Sequence, residues 1–135
     1  MRALLATFVL LTAPALAAEP ITCPASIEIT PQVTVKPVTG WQPLPMAERH
    51  PLDGARLFDG NPADMADLVP DQNSAALNVW QLRAGNAYTF VCTYAGTEMI
   101  MAAKVPADAK QCTAAKKTIA NMRPPNNTYI DATCR

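Results

Sequence analysis

Four widely spaced cysteines limit what this chain can fold into more than any other residues do. They are Cys23, Cys92, Cys112 and Cys134, and the closest two are 20 positions apart. Structural zinc sites use close pairs such as C-x-x-C, so this spacing argues against a zinc site. In an oxidising compartment, an even number of cysteines predicts disulfides instead. If the chain is exported, two disulfides are therefore expected.

The first 17 residues predict export. Arg2 precedes a short apolar run, and the small residues Ala15 and Ala17 follow it, as in a secretory signal. The apolar stretch ends at Glu19 and falls short of the ~20 residues that a spanning helix needs, so no membrane span is expected. We predict a signal peptide over 1–17, cleaved after Ala17, and a single exported domain over 18–135.

Charge and size narrow the class of protein. The chain has 11 basic and 11 acidic residues, and removal of Arg2 with the signal leaves 10 basic residues. This balance gives no electrostatic basis for binding nucleic acid, because proteins that bind it carry a Lys/Arg excess. The 118 residues of the mature chain are enough for one buried core. No cofactor is expected, since the sequence has no glycine-rich loop.

Alternation of apolar and polar residues predicts strands over most of the mature chain. It runs through 27–35, and Pro31 suggests an edge or a bulge there. The segments 76–82 and 87–94 flank Arg83-Ala84-Gly85-Asn86, which predicts a hairpin, and a third strand follows over 98–105. One face of the second hairpin strand would carry Tyr88, Phe90, Cys92 and Tyr94.

The remaining segments complete a mainly β prediction. Pro37 to Pro45 is too rich in proline for regular structure. Asn61 and Pro62 suit the start of a two-turn helix over 63–69. The segment 112–122 fits either helix or strand, and 128–134 fits a strand. The expected fold is a small antiparallel barrel or sandwich with one short helix and two disulfides.

The strand pattern also suggests how the cysteines pair. Cys23 shares the parity of the buried positions in 27–35, and Cys92 lies on the face of Phe90. Cys112 and Cys134 are nearly equidistant from the turn at Arg123, as the two ends of a hairpin are. Three pairings are possible by counting. We predict Cys23–Cys92 together with Cys112–Cys134.

Few residues are available for catalysis or metal binding. His50 is the only histidine, and neither Ser26 nor Ser74 lies in a motif that would pair with it, so we interpret His50 as an exposed loop residue. Met99, Met101 and Met122 could suit Cu(I), but Met99 and Met101 share one strand face, where they are expected to fill the core. No catalytic residue and no metal ligand is predicted.

An acidic stretch from Glu48 to Asp71 is the main functional signal. Its charge is −4, but its spacing does not match a calcium loop. A solvated face explains it without any function, because Asp53-Gly54 and Asp59-Gly60 look like turns. A pair of catalytic carboxylates is another interpretation, and a docking surface for a cationic partner is a third.

Several short motifs together resemble an uncharacterised family of small exported proteins of Gram-negative bacteria, first catalogued in a typhoid Salmonella genome. The similarity extends from Cys23 to Cys134, and it implies periplasmic residence and a disulfide-bonded domain while assigning no catalytic residue. A looser similarity to periplasmic lysozyme inhibitors is architectural only. The motifs are Cys23-Pro24-Ala25-Ser26-Ile27, Gly40-Trp41, Phe58-Asp59-Gly60-x-Pro62, Leu68-Val69-Pro70-Asp71, Trp80 and Tyr88-x-Phe90-x-Cys92-x-Tyr94-x-Gly96-Thr97.

These observations favour a non-enzymatic periplasmic protein that binds, and inhibits, another protein such as a cell-wall hydrolase or a toxin. The partner is expected to be basic, and irregular loops are expected over 37–54 and 59–75. The alternative is a structural or accessory envelope protein with no discrete ligand. The predicted contact residues are Trp41, Asp53, Asp59, Asp64 and Asp67.

Overall fold

A computed structural model of the chain describes residues 19–32, 34, 36, 38–124 and 127–135. The predicted signal peptide lies outside the described residues, as do Val33 and Val35 of the predicted strand 27–35. The described part of that strand ends at Ile29, before Pro31, so the prediction is wrong over 30–32. In chain order the strands are β1 (Ile21–Thr22), β2 (Ser26–Ile29), β3 (Glu48–Asp59), β4 (Asp67–Leu68), β5 (Gln72–Asn73), β6 (Leu77–Gln81), β7 (Tyr88–Tyr94), β8 (Ile100–Lys104), β9 (Gln111–Thr118) and β10 (Thr128–Cys134).

The strands form two antiparallel sheets, which confirms the mainly β prediction. The first sheet has the order β1-β10-β9-β6-β5, and the second has the order β2-β3-β7-β8. β4 pairs with β3 on the side that faces away from β7. The core lies between the two sheets, so each strand that borders it buries one face.

The two sheets contribute unequal side chains to this core. β7 supplies Tyr88, Phe90, Cys92 and Tyr94, all buried, as its alternation predicts. The first sheet supplies mostly small residues together with Trp80 on β6. The Trp80 indole meets the Phe90 ring edge to face, with centroids 6.3 Å apart and planes at 81°. This T-shaped contact is a favourable aromatic geometry.

Both predicted disulfides are confirmed. Cys92 lies on β7 of the second sheet, and its partner Cys23 donates its N–H to the carbonyl of Ala132 on β10 of the first sheet. The Cys23–Cys92 bond therefore joins the two sheets through the core. Cys112 and Cys134 lie directly opposite each other on β9 and β10, with Cα atoms 4.0 Å apart. The segment 112–122, which fitted helix or strand, thus begins as a strand.

The predicted hairpin over 76–94 is wrong, although both of its strands exist. β6 pairs with β9 and β5, whereas β7 pairs with β3 and β8. The turn at 83–86, with Gly85 at φ 87°, carries the chain from one sheet to the other. β6 and β7 therefore face each other across the core, where the rings of Trp80 and Phe90 are in contact, instead of lying side by side.

β3 is much longer than its turn-like residues indicate. It runs through Pro51 and Gly54, so the predicted loop 37–54 is wrong over 48–54. Asp53-Gly54 is not a turn: the pairing of β3 with β7 shifts register between Leu52 and Gly54, which leaves Asp53 in a bulge. In contrast, Gly60 ends the strand at φ 80°, a value that suits glycine.

His50 is buried on β3 and is not an exposed loop residue, which corrects the sequence interpretation. Its Nδ1 lies 2.9 Å from the carbonyl oxygen of Ala95, and that oxygen can only accept, so Nδ1 carries the proton. Ala95 in turn donates its N–H to the carbonyl of Pro51. Proline has no N–H to return this bond. The His50 ring supplies the missing donor, which explains how a proline fits inside β3.

Two further predictions are corrected. The helix expected over 63–69 is a single 3₁₀ turn, Pro62–Asp64, because Met65 adopts a left-handed φ of 56° and ends it. The Asn61 cap is nevertheless present, since its Oδ1 accepts from the N–H of Ala63. Met99 and Met101 do not fill the core but are exposed.

We predict that the Cys23–Cys92 bond stabilises the fold more than Cys112–Cys134 does. It closes a loop with a sequence separation of 69, against 22 for the other bond. Because a disulfide lowers the conformational entropy of the unfolded chain, we expect it to add about 4 kcal/mol to the free energy of unfolding for Cys23–Cys92 and about 3 kcal/mol for Cys112–Cys134. Urea unfolding of the Cys23→Ser/Cys92→Ser and Cys112→Ser/Cys134→Ser variants measures both terms. A Cys23→Ser/Cys92→Ser variant with the melting behaviour of the parent contradicts this prediction.

We also predict an alkaline loss of stability that depends on Tyr94. Its hydroxyl donates to the carbonyl of Pro24 at 3.1 Å, and burial raises the pKa of the phenol. The contribution is therefore complete below about pH 10, the pKa in the unfolded chain, and is lost as the pH rises through the higher folded value. Tyr94→Phe should cost about 1 kcal/mol at neutral pH and weaken the alkaline loss. Tyr129→Phe, at an exposed tyrosine, is the control and should keep it.

Candidate functional site

An acidic segment joins the two sheets, and we call residues 59–73 the arch. It leaves the second sheet at the end of β3, makes the 3₁₀ turn, and pairs back onto β3 through β4. It then pairs with β6 of the first sheet through β5. The arch therefore has hydrogen-bonded strands of both sheets at its base.

Hydrogen bonds with β6 and β7 hold the arch in place. Trp80 is almost fully buried, and its Nε1–H donates to the carbonyl of Leu68 at 2.8 Å. The Thr89 hydroxyl donates to the carbonyl of Gly60 at 2.6 Å. The carboxylate of Asp71 accepts from the backbone N–H of Gln81 at 2.7 Å. The backbone of the arch is thus fixed at several points along its length.

The arch carries four carboxylates and no basic residue. Asp67 is neutralised from outside the arch, since the Arg56 Nε donates to its Oδ2 at 2.9 Å. Asp71 is occupied by Gln81. Within the described residues, the exposed side chains of Asp59 and Asp64 have neither a hydrogen bond nor an ion pair. These two carboxylates are therefore available to a partner.

Two apolar side chains accompany them that the sequence analysis missed. Met65 is 83% exposed and Val69 is 82% exposed, whereas Val79 and Val91 on the neighbouring strands are buried. Met65 lies where the 3₁₀ turn ends, and Val69 lies between β4 and Pro70. The sequence did contain a signal for the exposure of Val69, because an apolar residue stands there directly before a proline in an acidic segment.

Small clefts flank Val69 on both sides. One, of about 260 Å³, is lined by Asp59, Asp71 and Arg83 among others, and the second, of about 280 Å³, is lined by Arg56 and Asp67 among others. The first brings two carboxylates to one cleft, which a hydrolase with paired aspartates requires. Asp71, however, already accepts a backbone hydrogen bond there.

The five predicted contact residues are not all neighbours. Asp59, Asp64 and Asp67 share the arch. Asp53 lies six residues from Asp59 along β3, about 20 Å away, and accepts from the Thr93 hydroxyl at 2.7 Å. Trp41 lies in the loop between β2 and β3 and is 79% exposed. The structure thus places three of the five together.

Neither the side-chain arrangement of a metal site nor a long apolar helix occurs in the described part of the chain. No cluster of three or more His, Cys, Asp or Glu side chains has the arrangement of a metal site. No helix there has the length and apolar character needed to cross a membrane.

Comparison with known proteins gives one family. The sequence model of the family described as "Type VI secretion system Tli immunity protein" matches residues 47–135. An Azospirillum brasilense protein described as "Uncharacterized 16.3 kDa protein in trpG 5'region" is 31% identical over 134 aligned positions, which cover 87% of each chain. No solved structure matches significantly.

We predict that the Trp80 indole N–H fixes the arch. Trp80→Phe keeps an aromatic ring but leaves the Leu68 carbonyl without its donor, which should cost about 1–3 kcal/mol. Amide hydrogens of residues 67–73 should then exchange faster, as hydrogen exchange measures directly. Trp41→Phe is the matched control, and as an exposed substitution it should change stability by less than about 0.5 kcal/mol. Equal effects of the two substitutions would contradict this role.

Proposed function

The chain belongs to the type VI secretion system Tli immunity protein family, and from this premise we propose that it neutralises its toxin by direct contact through the arch. Family membership makes it an immunity protein whose partner is a toxin. What we add is the surface, the charge of the partner and the absence of any catalytic step. The observation that carries the proposal is the pair of unpaired carboxylates, Asp59 and Asp64, beside exposed Met65 and Val69.

The composition of the arch supports a docking role. Protein interfaces combine apolar anchors with a polar rim, and charges on the rim speed association and select the partner. Met65 and Val69 provide the apolar part, and Asp59 and Asp64 provide the charged part. The family match begins at residue 47, so it contains the whole arch.

A basic toxin surface fits this arch best. The arch has a charge of −4, and Arg56 offsets only one of its carboxylates. Asp59, Asp64 and Asp67 are the proposed contact residues. Asp53 and Trp41 would touch only a partner that extends beyond the arch, because they lie elsewhere on the molecule.

The proposed site of action is the periplasm. Disulfides persist in oxidising compartments, and the bonds Cys23–Cys92 and Cys112–Cys134 suit such a place. Cleavage after Ala17 would release residues 18–135 as one domain there. The resemblance to the small exported family catalogued in typhoid Salmonella is in keeping with this location. Family membership favours the immunity role over the accessory envelope role.

We predict that toxin binding depends on the arch carboxylates and on salt. Asp64→Asn and Asp59→Asn should each weaken binding, and together by about tenfold, because they remove attraction to a basic surface. Raised ionic strength should weaken the parent more than the double variant. Asp53→Asn is the matched control, since it removes an equal charge about 20 Å away along β3.

The measurement needs the toxin itself. Mature protein on a resin should retain it from an extract of cells with a type VI system at low salt, and titration calorimetry with the identified toxin then compares the variants. Inhibition that saturates at a fixed molar ratio indicates contact, whereas complete inhibition at a small fraction of the toxin concentration indicates catalysis. Failure to retain a toxin at low salt, or retention that ignores salt, would show that the acidic docking proposal is wrong.

A further inference from the structure

β8 is the outer strand of the second sheet, and its far side is open. Among the strands that the structure describes it pairs with β7 alone, and each of its five residues is exposed. Directly after β8, the N–H of Val105 donates to the carbonyl of Tyr88 at 3.0 Å, so the backbone N–H and C=O groups of Val105 face β7. By the same register, the backbone groups of Met101 and Ala103 also face β7. These positions alternate in an antiparallel ladder. Ile100, Ala102 and Lys104 therefore direct their N–H and C=O groups away from the sheet.

Exposed apolar side chains accompany this open edge. Met99, Ile100 and Met101 are 58%, 48% and 46% exposed, respectively. Proteins usually protect an edge strand with several charges, a proline or a covering segment, because an unprotected edge pairs with another strand. β8 carries one charge, Lys104. Its surface therefore fits another extended strand of mostly apolar composition.

We propose that this strand is β8 of a second copy, paired antiparallel about a two-fold axis at Met101. This register places Ile100 opposite Ala102 of the second copy, so the outward-directed backbone groups of both strands meet. It also places Lys104 opposite Glu98 of the second copy, and the symmetry repeats that contact. Within the described residues, neither Glu98 nor Lys104 has an ion pair in the single chain.

Charge complementarity selects this register among those the backbone allows. Pairing about Ala102, one residue further along, also lets outward-directed groups meet. It places Lys104 opposite Ile100, however, and leaves both charged side chains without a partner. Opposite charges across a strand pair are favourable, which distinguishes the two arrangements. The edge is thus complementary to itself in one register.

The dimer is expected to be weak and to leave the arch open. A five-residue strand is about 17 Å long, so its pairing covers less area than a standard stable interface. The arch pairs with the second sheet at β4, on the side of β3 away from β7, whereas β8 pairs with β7 on its other side. The start of the arch, at Gly60 and Pro62, shares a cleft of about 500 Å³ with the end of β8. The carboxylates and the exposed apolar side chains of the arch do not line that cleft. The dimer would therefore present two arches at once.

A charge swap tests the contact between Glu98 and Lys104. Sedimentation velocity of the mature protein should show dimer formation that rises with concentration. Lys104→Glu and Glu98→Lys should each raise the dimer dissociation constant about tenfold or more, because like charges then face each other. The double variant Glu98→Lys/Lys104→Glu restores both ion pairs and should dimerise like the parent. Toxin binding per chain should stay unchanged in all three.

A cysteine at the axis tests the register independently. Met101 would face Met101 of the second copy as a non-hydrogen-bonded pair with Cα atoms about 4.5 Å apart, within reach of a disulfide. Met101→Cys should therefore yield a covalent dimer on a non-reducing gel. Ala102→Cys is the matched control in the same exposed strand, and it should not crosslink, because Ala102 faces Ile100 of the second copy.

Each alternative result overturns the dimer. These are a parent that sediments as a monomer at all concentrations, a charge swap that fails to restore association, and crosslinking through Ala102→Cys but not Met101→Cys. A monomer in which Lys104→Glu weakens toxin binding would show that the toxin occupies this edge instead. Because the arch variants are measured separately, failure of the dimer leaves the proposed toxin contact untouched.

Discussion

The bond between Cys23 and Cys92 is the constraint on which the rest of the structure depends. It crosses the core between sheets that bury unequal side chains, large ones on β7 and mostly small ones on the first sheet. The arch begins in one sheet and ends in the other, so its shape follows their separation. Trp80 connects the core with the arch, since its ring packs against Phe90 in the core and its indole N–H donates to the Leu68 carbonyl in the arch.

Much of the fold could be predicted because its signals are local. Period-two alternation identified β7 and its buried face, and the parity of Cys92 with Phe90 gave the correct disulfide. Strand partners could not be predicted in this way, because β6 pairs with β9, some thirty-five residues further on, and not with its neighbour in sequence. The length of β3 was missed for a related reason, since the carbonyl to which Pro51 cannot donate belongs to distant Ala95, and the His50 ring donates to it instead.

The candidate site was predictable in charge but not in detail. The sequence shows that residues 59–73 contain four aspartates, and nothing local distinguishes Asp67, which pairs with Arg56, from Asp64, which has no partner among the described residues. The exposure of Met65 and Val69 was also invisible, because it follows from how β4 and β5 anchor the segment between two sheets. Contacts with residues outside the arch therefore determine which carboxylates are already paired and which can contact another protein.

The anchoring of the arch has an entropic consequence. A flexible loop loses backbone freedom when it binds, at roughly 1–2 kcal/mol for each residue that becomes ordered. The arch has already lost that freedom on folding, because strand pairing and the Trp80 indole hold it. In the proposed complex the arch is therefore preorganised, and little of the favourable free energy of contact is offset by ordering the immunity protein.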